Sequence, residues 1–104
     1  RISVSETHKK MEGGWNPYVL DVRKDHEAEI VRLDFANRLH PHDQIIEIIH
    51  ELPRDQDILV HCKMGGRSAK ACEALSKAGF TRLYNLEGGI LAWANEIDTS
   101  LPTY

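Results

Sequence analysis

The chain of 104 residues has the size of one domain, since domains most often contain roughly 100 to 150 residues. Hydrophobic residues make up 41% of it and charged residues 28%, a composition typical of globular proteins that excludes disordered and fibrous classes. The formal net charge of −3, scattered without blocks, argues against nucleic acid as a partner.

Short apolar runs alternate with amphipathic segments along the chain. Apolar and β-branched runs predict strands at 2–4, 18–22, 35–39, 57–61 and 82–86. Capping residues and apolar positions three or four apart predict helices from position 3 to the glycines at 13 and 14, over 25–30, through 45–52, over 68–78 and through 90–97. This alternation predicts an α/β fold with an open, mostly parallel sheet of about five short strands and helices on both faces.

Cys62 is the leading candidate for chemistry, because it lies where a predicted strand ends and just before a helix whose free amides point back at it. Lys63 and Arg67 add two cations, and Gly65 and Gly66 permit a tight turn whose N–H groups form an anion-binding nest. These features predict a thiol pKa below the usual value of about 8.5. The alternative is that Cys62 is a small buried hydrophobic residue, the usual role of a free cysteine.

Three motifs resemble those of the rhodanese family of sulfurtransferases. The loop Cys62-Lys-Met-Gly-Gly-Arg67 matches the family's active-site loop, Cys-x-x-Gly-x-Arg. Asp21-Val-Arg23 matches the triplet that ends the second strand in the family. Leu86-Glu-Gly-Gly-Ile90, together with Trp93, matches its closing Gly-Gly and Trp signature. The resemblance covers the chain from about Ile2 to the end.

The stretch 61–93 and the terminal Ser100-Leu-Pro-Thr-Tyr104 further resemble the C-terminal rhodanese domain of MoeB/ThiF-type adenylyltransferases. The family resemblance implies that Cys62 takes sulfane sulfur from thiosulfate or a cysteine desulfurase persulfide, carries it as a persulfide and passes it to an acceptor. In the subfamily that acceptor is the adenylated C-terminal glycine of a ubiquitin-like sulfur carrier, as in molybdopterin, thiamine or thiolated tRNA synthesis. No cofactor is implied. A peptide acceptor also predicts that Cys62 lies at the floor of a shallow, open cleft.

The resemblance also assigns roles around Cys62. Inward-facing amides would hold the outer persulfide sulfur as an oxyanion hole holds oxygen, and they belong to Lys63, Met64, Gly65, Gly66, Arg67 and Ser68. The Arg67 side chain either stabilises charge directly or is tied to an acidic partner and fixes the loop, and we favour the second role. Asp21 and Arg23 would support the loop, the alternative being an exposed ion pair worth about 0 to 1 kcal/mol.

Two other functions are weighed against sulfur transfer. Phosphatases of related architecture use Cys-x5-Arg, whereas Arg67 follows Cys62 by only five positions, and the shorter ring suits one sulfur atom better than a phosphate. A noncatalytic docking module would keep the fold and use only its rim. The intact nucleophile and loop argue against this third function.

The remaining cysteine and the histidines are given structural roles. Cys72 falls on the apolar face of the helix predicted over 68–78, which favours core packing. His40 and His42 are expected to be solvated loop residues. His61 and Cys62 are neighbours on a strand and should point to opposite faces, so we predict no metal site.

Features that the sequence lacks predict where in the cell the domain is located. No apolar run approaches the ~18 residues that a membrane span needs, and no signal-peptide pattern is present, which predicts a cytoplasmic domain without a membrane partner. Two cysteines are too few for a secreted disulfide scaffold. Because the sequence begins at Arg1, we expect the single domain at 1–104 to be part of a longer protein.

Overall fold

Four short strands form one parallel sheet in the computed structural model, which describes all residues from 1 to 104. The strands are β1 (Tyr18–Asp21), β2 (Arg38–Leu39), β3 (Ile58–His61) and β4 (Leu83–Asn85), and their spatial order is β2-β1-β3-β4. The helices are α1 (Val4–Glu12), α2 (Asp25–Ile30), a 3-10 helix (His42–Glu51), α3 (Gly66–Lys77) and α4 (Gly89–Glu96). The predicted α/β fold is therefore confirmed. No helix combines the length and apolar character that crossing a bilayer requires.

The sheet has four strands rather than about five, because the segment predicted as a strand at 2–4 is already helical from Val4. The Ser3 hydroxyl accepts a hydrogen bond from the Glu6 amide, and the Glu6 side chain returns to the Ser3 amide in a capping box. Only one parallel bridge remains from the predicted strand, between Ile2 and Leu86.

The helix predicted through 45–52 is a 3-10 helix over His42–Glu51, which is tighter than the α-helix that we expected. Its repeat of three residues aligns Ile45 with Ile48, and both are buried. Ile49 packs against the same core cluster from the margin of this face and is only half-buried. The apolar pattern thus predicted a buried helix correctly but not its pitch.

Two apolar layers pack against the two faces of the sheet. Alternate residues of β3 point to opposite layers, so that Ile58 and Val60 join Cys62 in one cluster and Leu59 belongs to the other. The first layer lies against α3 and the 3-10 helix, and the second contains residues of α1 and α4. Cys62 is therefore held at the boundary between the core and the loop that follows β3.

The start of α4 anchors the loop that follows β3. The amides of Ile90 and Leu91 donate hydrogen bonds of 3.0 Å to the carbonyl groups of Cys62 and Lys63. The two backbones approach so closely that a Cβ atom on Gly89 would overlap both of these carbonyl groups. Gly89 also has φ +62, in the left-handed region that favours glycine.

We expect Gly89→Ala to lower the free energy of unfolding by at least about 2 kcal/mol, because the new Cβ displaces the loop and strains the backbone. Chemical denaturation measures this loss. The matched control is Gly66→Ala, since Gly66 is helical and open space surrounds its Cβ position. The control should keep the unfolding free energy or raise it by up to about 1 kcal/mol. Equal stabilities for the two variants would contradict the close approach described above.

Candidate active site

The loop after β3 folds its backbone around the Cys62 sulfur. The Gly65 amide donates a hydrogen bond of 3.0 Å to Sγ, and Gly65 has φ +110, which turns the chain into α3. A planar trans peptide directs its C=O and N–H to opposite sides. Because the Lys63 carbonyl points to α4, the next amide, that of Met64, points to the sulfur. The outward carbonyl group of Lys63 thus accounts for the inward amide of Met64.

Cys62 is prepared for ionisation by hydrogen bonds. Burial of the side chain, which is 1% exposed, raises the pKa of the thiol. Hydrogen bonds from the Ser68 hydroxyl and from the amides of Ser68, Gly65 and Met64 outweigh burial and hold the pKa below its usual range. The direction agrees with the sequence-based expectation. The amide donors that the sequence predicted are the main cause, and the two predicted cations contribute less, Arg67 through its electrostatic attraction to Cys62.

The sulfur does not lie at the floor of an open cleft, and that expectation is wrong for this conformation. Cys62 is buried, because the loop closes over it through the Gly65 hydrogen bond. A cavity of about 330 Å³ lies beside the loop and is lined by Met64, Gly65, Gly66, Asn85 and Gly88, among others. A reactant therefore reaches the sulfur only when the loop moves.

Arg67 is committed to an acidic partner. Its Nη1 and Nη2 donate hydrogen bonds of 2.6 and 2.8 Å to the two carboxylate oxygens of Glu27. This bidentate pair holds the pKa of Glu27 well below its usual range and raises the pKa of Arg67. The Tyr104 hydroxyl donates a further hydrogen bond of 2.7 Å to Glu27. The geometry is that of the second role considered for Arg67, in which the side chain fixes the loop.

Asp21 and Arg23 form a buried ion pair at the end of β1. Their side chains are 2% and 0% exposed, with Nη2 and Oδ2 2.8 Å apart, so the alternative of an exposed pair is wrong. Arg23 also donates hydrogen bonds to the Val31 carbonyl and to the Tyr104 hydroxyl. Since Val31 directly follows α2, the pair holds the helix that carries Glu27. The Asp21–Arg23 pair therefore supports the loop only indirectly, through α2.

Sequence reasoning missed three residues that the structure places in or beside this site. Glu27 lies in the first turn of α2, which follows β1, and β1 pairs with β3. This topology could have indicated a partner for Arg67. Asn85 ends β4 at the same edge of the sheet and contacts Ser68. Tyr104 is joined to Glu27 across 77 positions, and no local pattern indicates that contact.

Cys72 differs from Cys62 in its surroundings. It is half-buried and packs against the core layer that contains Cys62. Burial raises the pKa of Cys72 to about 11, so its thiol is protonated at neutral pH.

His61 is fully buried on the opposite face from Cys62, with Nε2 3.8 Å from Oδ2 of Asp21. No three His, Cys, Asp or Glu side chains are grouped as metal ligands would be.

Comparisons with known proteins agree with this architecture. A solved structure, a rhodanese-related protein from Thermoplasma volcanium, superposes with a TM-score of 0.81 at 30% identity and covers 92% of this chain and 91% of its own. A protein named "Sulfurtransferase" from Allochromatium vinosum is 48% identical over 77 residues, which are 73% of this chain and 70% of that protein.

A longer relative is the "Probable adenylyltransferase/sulfurtransferase MoeZ" of Mycobacterium tuberculosis, which is 36% identical over 105 residues. The alignment covers 99% of this chain but only 26% of that protein, so the chain spans about a quarter of its length. The sequence profile of the family described as "Rhodanese-like domain" matches residues 3–96. This chain belongs to the rhodanese-like family, among whose members are named sulfurtransferases.

Proposed function

We propose that this domain is a sulfurtransferase that carries sulfane sulfur as a persulfide on Cys62. The observation that carries the proposal is the set of amide donors around Sγ, namely the Gly65 amide at 3.0 Å and the neighbouring amides, with the Ser68 hydroxyl 3.3 Å from the sulfur and able to turn its proton towards a thiolate. These groups stabilise a sulfur anion without a metal or a neighbouring base.

The proposed exchange has two displacement steps. The Cys62 thiolate attacks the sulfane sulfur of the donor, an S–S bond forms, and the donor leaves with its bonding electron pair, as sulfite when the donor is thiosulfate. In the second step the outer sulfur attacks the adenylated carboxyl carbon of the acceptor, and AMP leaves. Two equivalents of a thiol reductant then cleave the S–S bond of this acyl disulfide, which releases the acceptor as a thiocarboxylate, the reductant as its disulfide and Cys62 as the thiolate. The roles assigned to Lys63, Met64, Gly65, Gly66, Arg67 and Ser68 belong to this proposal. Their loop has to open in each step, because Cys62 is 1% exposed.

The acceptor in this proposal is the C-terminus of a ubiquitin-like sulfur-carrier protein, and a cysteine desulfurase persulfide is the physiological donor. The 36% identity to MoeZ supports it, because the name of that protein joins adenylyltransferase and sulfurtransferase functions. The domain at 1–104 would then supply the sulfur-carrying step in a longer protein.

The pairing of Arg67 with Glu27 disfavours the phosphatase alternative. A phosphatase of this kind needs the guanidinium for the phosphate dianion, but here both terminal nitrogens donate to one carboxylate at 2.6 and 2.8 Å. The pair is neutral as a whole, so the positive potential at the sulfur comes mainly from amide dipoles. Such a site suits a singly charged persulfide better than a dianion.

After incubation with thiosulfate or a persulfide donor, we expect the intact protein to gain the mass of one sulfur atom, and cyanide to remove it. The matched variants are Cys62→Ala, which should gain nothing, and Cys72→Ala, which should gain as much as the unmodified chain. Intact-mass spectrometry measures all three. Absence of any gain would favour the docking module, and Cys62-dependent hydrolysis of an aryl phosphate would favour the phosphatase.

Arg67→Ala and Glu27→Ala should each slow persulfide formation about tenfold, because each removes the contact that holds the amide donors in place around the thiolate, a loss that should exceed any gain from easier opening of the loop. The double variant should be no slower than the slower single variant, since the two substitutions break one interaction. Rates of sulfur uptake by intact mass, measured on variants with native circular dichroism, give the comparison.

Glu27→Gln separates the two roles of Arg67. If Arg67 acts by fixing the loop, weakening its carboxylate partner should slow uptake nearly as much as Arg67→Ala does. If the guanidinium instead stabilises the sulfur directly, Glu27→Gln frees that charge and should preserve or increase the rate, which would refute the loop-fixing role.

A further inference from the structure

A line of three side chains leads away from the reactive sulfur. Sγ of Cys62 lies 3.3 Å from Oγ of Ser68, and Oγ lies 2.5 Å from Oδ1 of Asn85. The Asn85 amide nitrogen, in turn, donates a hydrogen bond of 3.3 Å to the Gly65 carbonyl. Ser68 is fully buried, so its hydroxyl has few other partners. Asn85 thus contacts the loop that surrounds the sulfur without touching the sulfur itself.

The hydroxyl of Ser68 has a single proton, and two atoms compete for it. A carbonyl oxygen such as that of Gly65 only accepts, which turns the NH2 group of Asn85 towards it and leaves Oδ1 facing Ser68. Because Oδ1 cannot donate, the contact of 2.5 Å requires that Ser68 donates to Asn85. The oxygen of Ser68 then presents a lone pair to Cys62. A thiol S–H can donate to that lone pair, whereas a thiolate is repelled by it.

We propose that Asn85 is a positioning residue, which draws the Ser68 hydroxyl proton away from Cys62 and so favours the thiol until that hydroxyl turns. On ionisation the hydroxyl rotates to donate to Sγ and releases Oδ1 of Asn85. Asn85 lines the cavity of about 330 Å³ beside the loop, where solvent can satisfy the released oxygen. The Gly65 amide donates to the sulfur in both states.

The turning of this hydroxyl would accompany the sulfur cycle. In a persulfide the negative charge lies on the outer sulfur, so Sγ no longer requires a hydrogen bond from Ser68. The Ser68 hydroxyl then turns back and donates to Oδ1 of Asn85. Transfer to the acceptor restores the thiolate at Sγ, and the hydroxyl turns again. No proton leaves Ser68 in either step. This inference deepens the proposed function because it concerns the same thiol, but it can be tested without any sulfur donor.

The test is a titration of Cys62 in a Cys72→Ala background, by thiolate ultraviolet absorbance and by the pH dependence of iodoacetamide alkylation. Asn85→Ala should lower the pKa of Cys62 and increase its thiolate fraction near neutral pH about threefold to tenfold. The same substitution in a Ser68→Ala background should not lower the pKa. Loss of the Gly65 contact alone would loosen the donor ring and raise the pKa, so a purely structural role has the opposite sign.

Asn85→Asp is the second variant, since it preserves the shape of the side chain should Asn85→Ala fail to fold. Its carboxylate accepts the hydroxyl proton more strongly and adds negative charge, so the pKa of Cys62 should rise. An unchanged or lower pKa in Asn85→Asp would overturn the proposal. So would an Asn85→Ala effect of equal size with and without Ser68. If the titrations follow expectation but no persulfide forms, the proposed function fails while this inference stands.

Discussion

The pairing of α4 with the loop after β3 is the interaction on which the site depends. Two amides at the start of α4, those of Ile90 and Leu91, hold the carbonyl groups of Cys62 and Lys63. Each peptide group has two opposite poles, so a carbonyl that is held outward commits the next amide to point inward. The inward direction of the Met64 amide is therefore a consequence of packing, and Gly89 is needed because only glycine permits that contact.

The charged side chains near the site are paired with one another, so positive charge is not concentrated at the sulfur. Arg67 is paired with Glu27, and Arg23 with Asp21, so the two buried or half-buried guanidinium groups balance two carboxylates. Each pair fixes the position of a segment near the loop, while short-range amide dipoles stabilise the sulfur anion. Such dipoles are weakened less by salt than exposed cations are, because they act at hydrogen-bond distance inside the protein.

Features whose contacts are close in the sequence could be predicted, whereas features whose contacts join distant positions could not. Cys62, its glycine-containing loop and the following helix depend on residues close in sequence, so their local pattern sufficed. The pairing of Arg67 with Glu27 spans 40 positions and that of Tyr104 with Glu27 spans 77, and neither leaves a periodic signal. The short-range errors had local causes, since a capping box replaced the strand at 2–4 and apolar spacing does not distinguish a 3-10 helix from an α-helix.

The parallel order β2-β1-β3-β4 has a consequence for the newly made polypeptide. Parallel neighbours are joined by crossovers, so β1 meets β3 only after a loop of some 40 residues has closed, and such distant pairings form slowly. Until they form, the sheet edge that brings the loop after β3 against the start of α4 is not assembled. The lowered pKa of Cys62 is thus a property of the folded chain rather than of the loop alone.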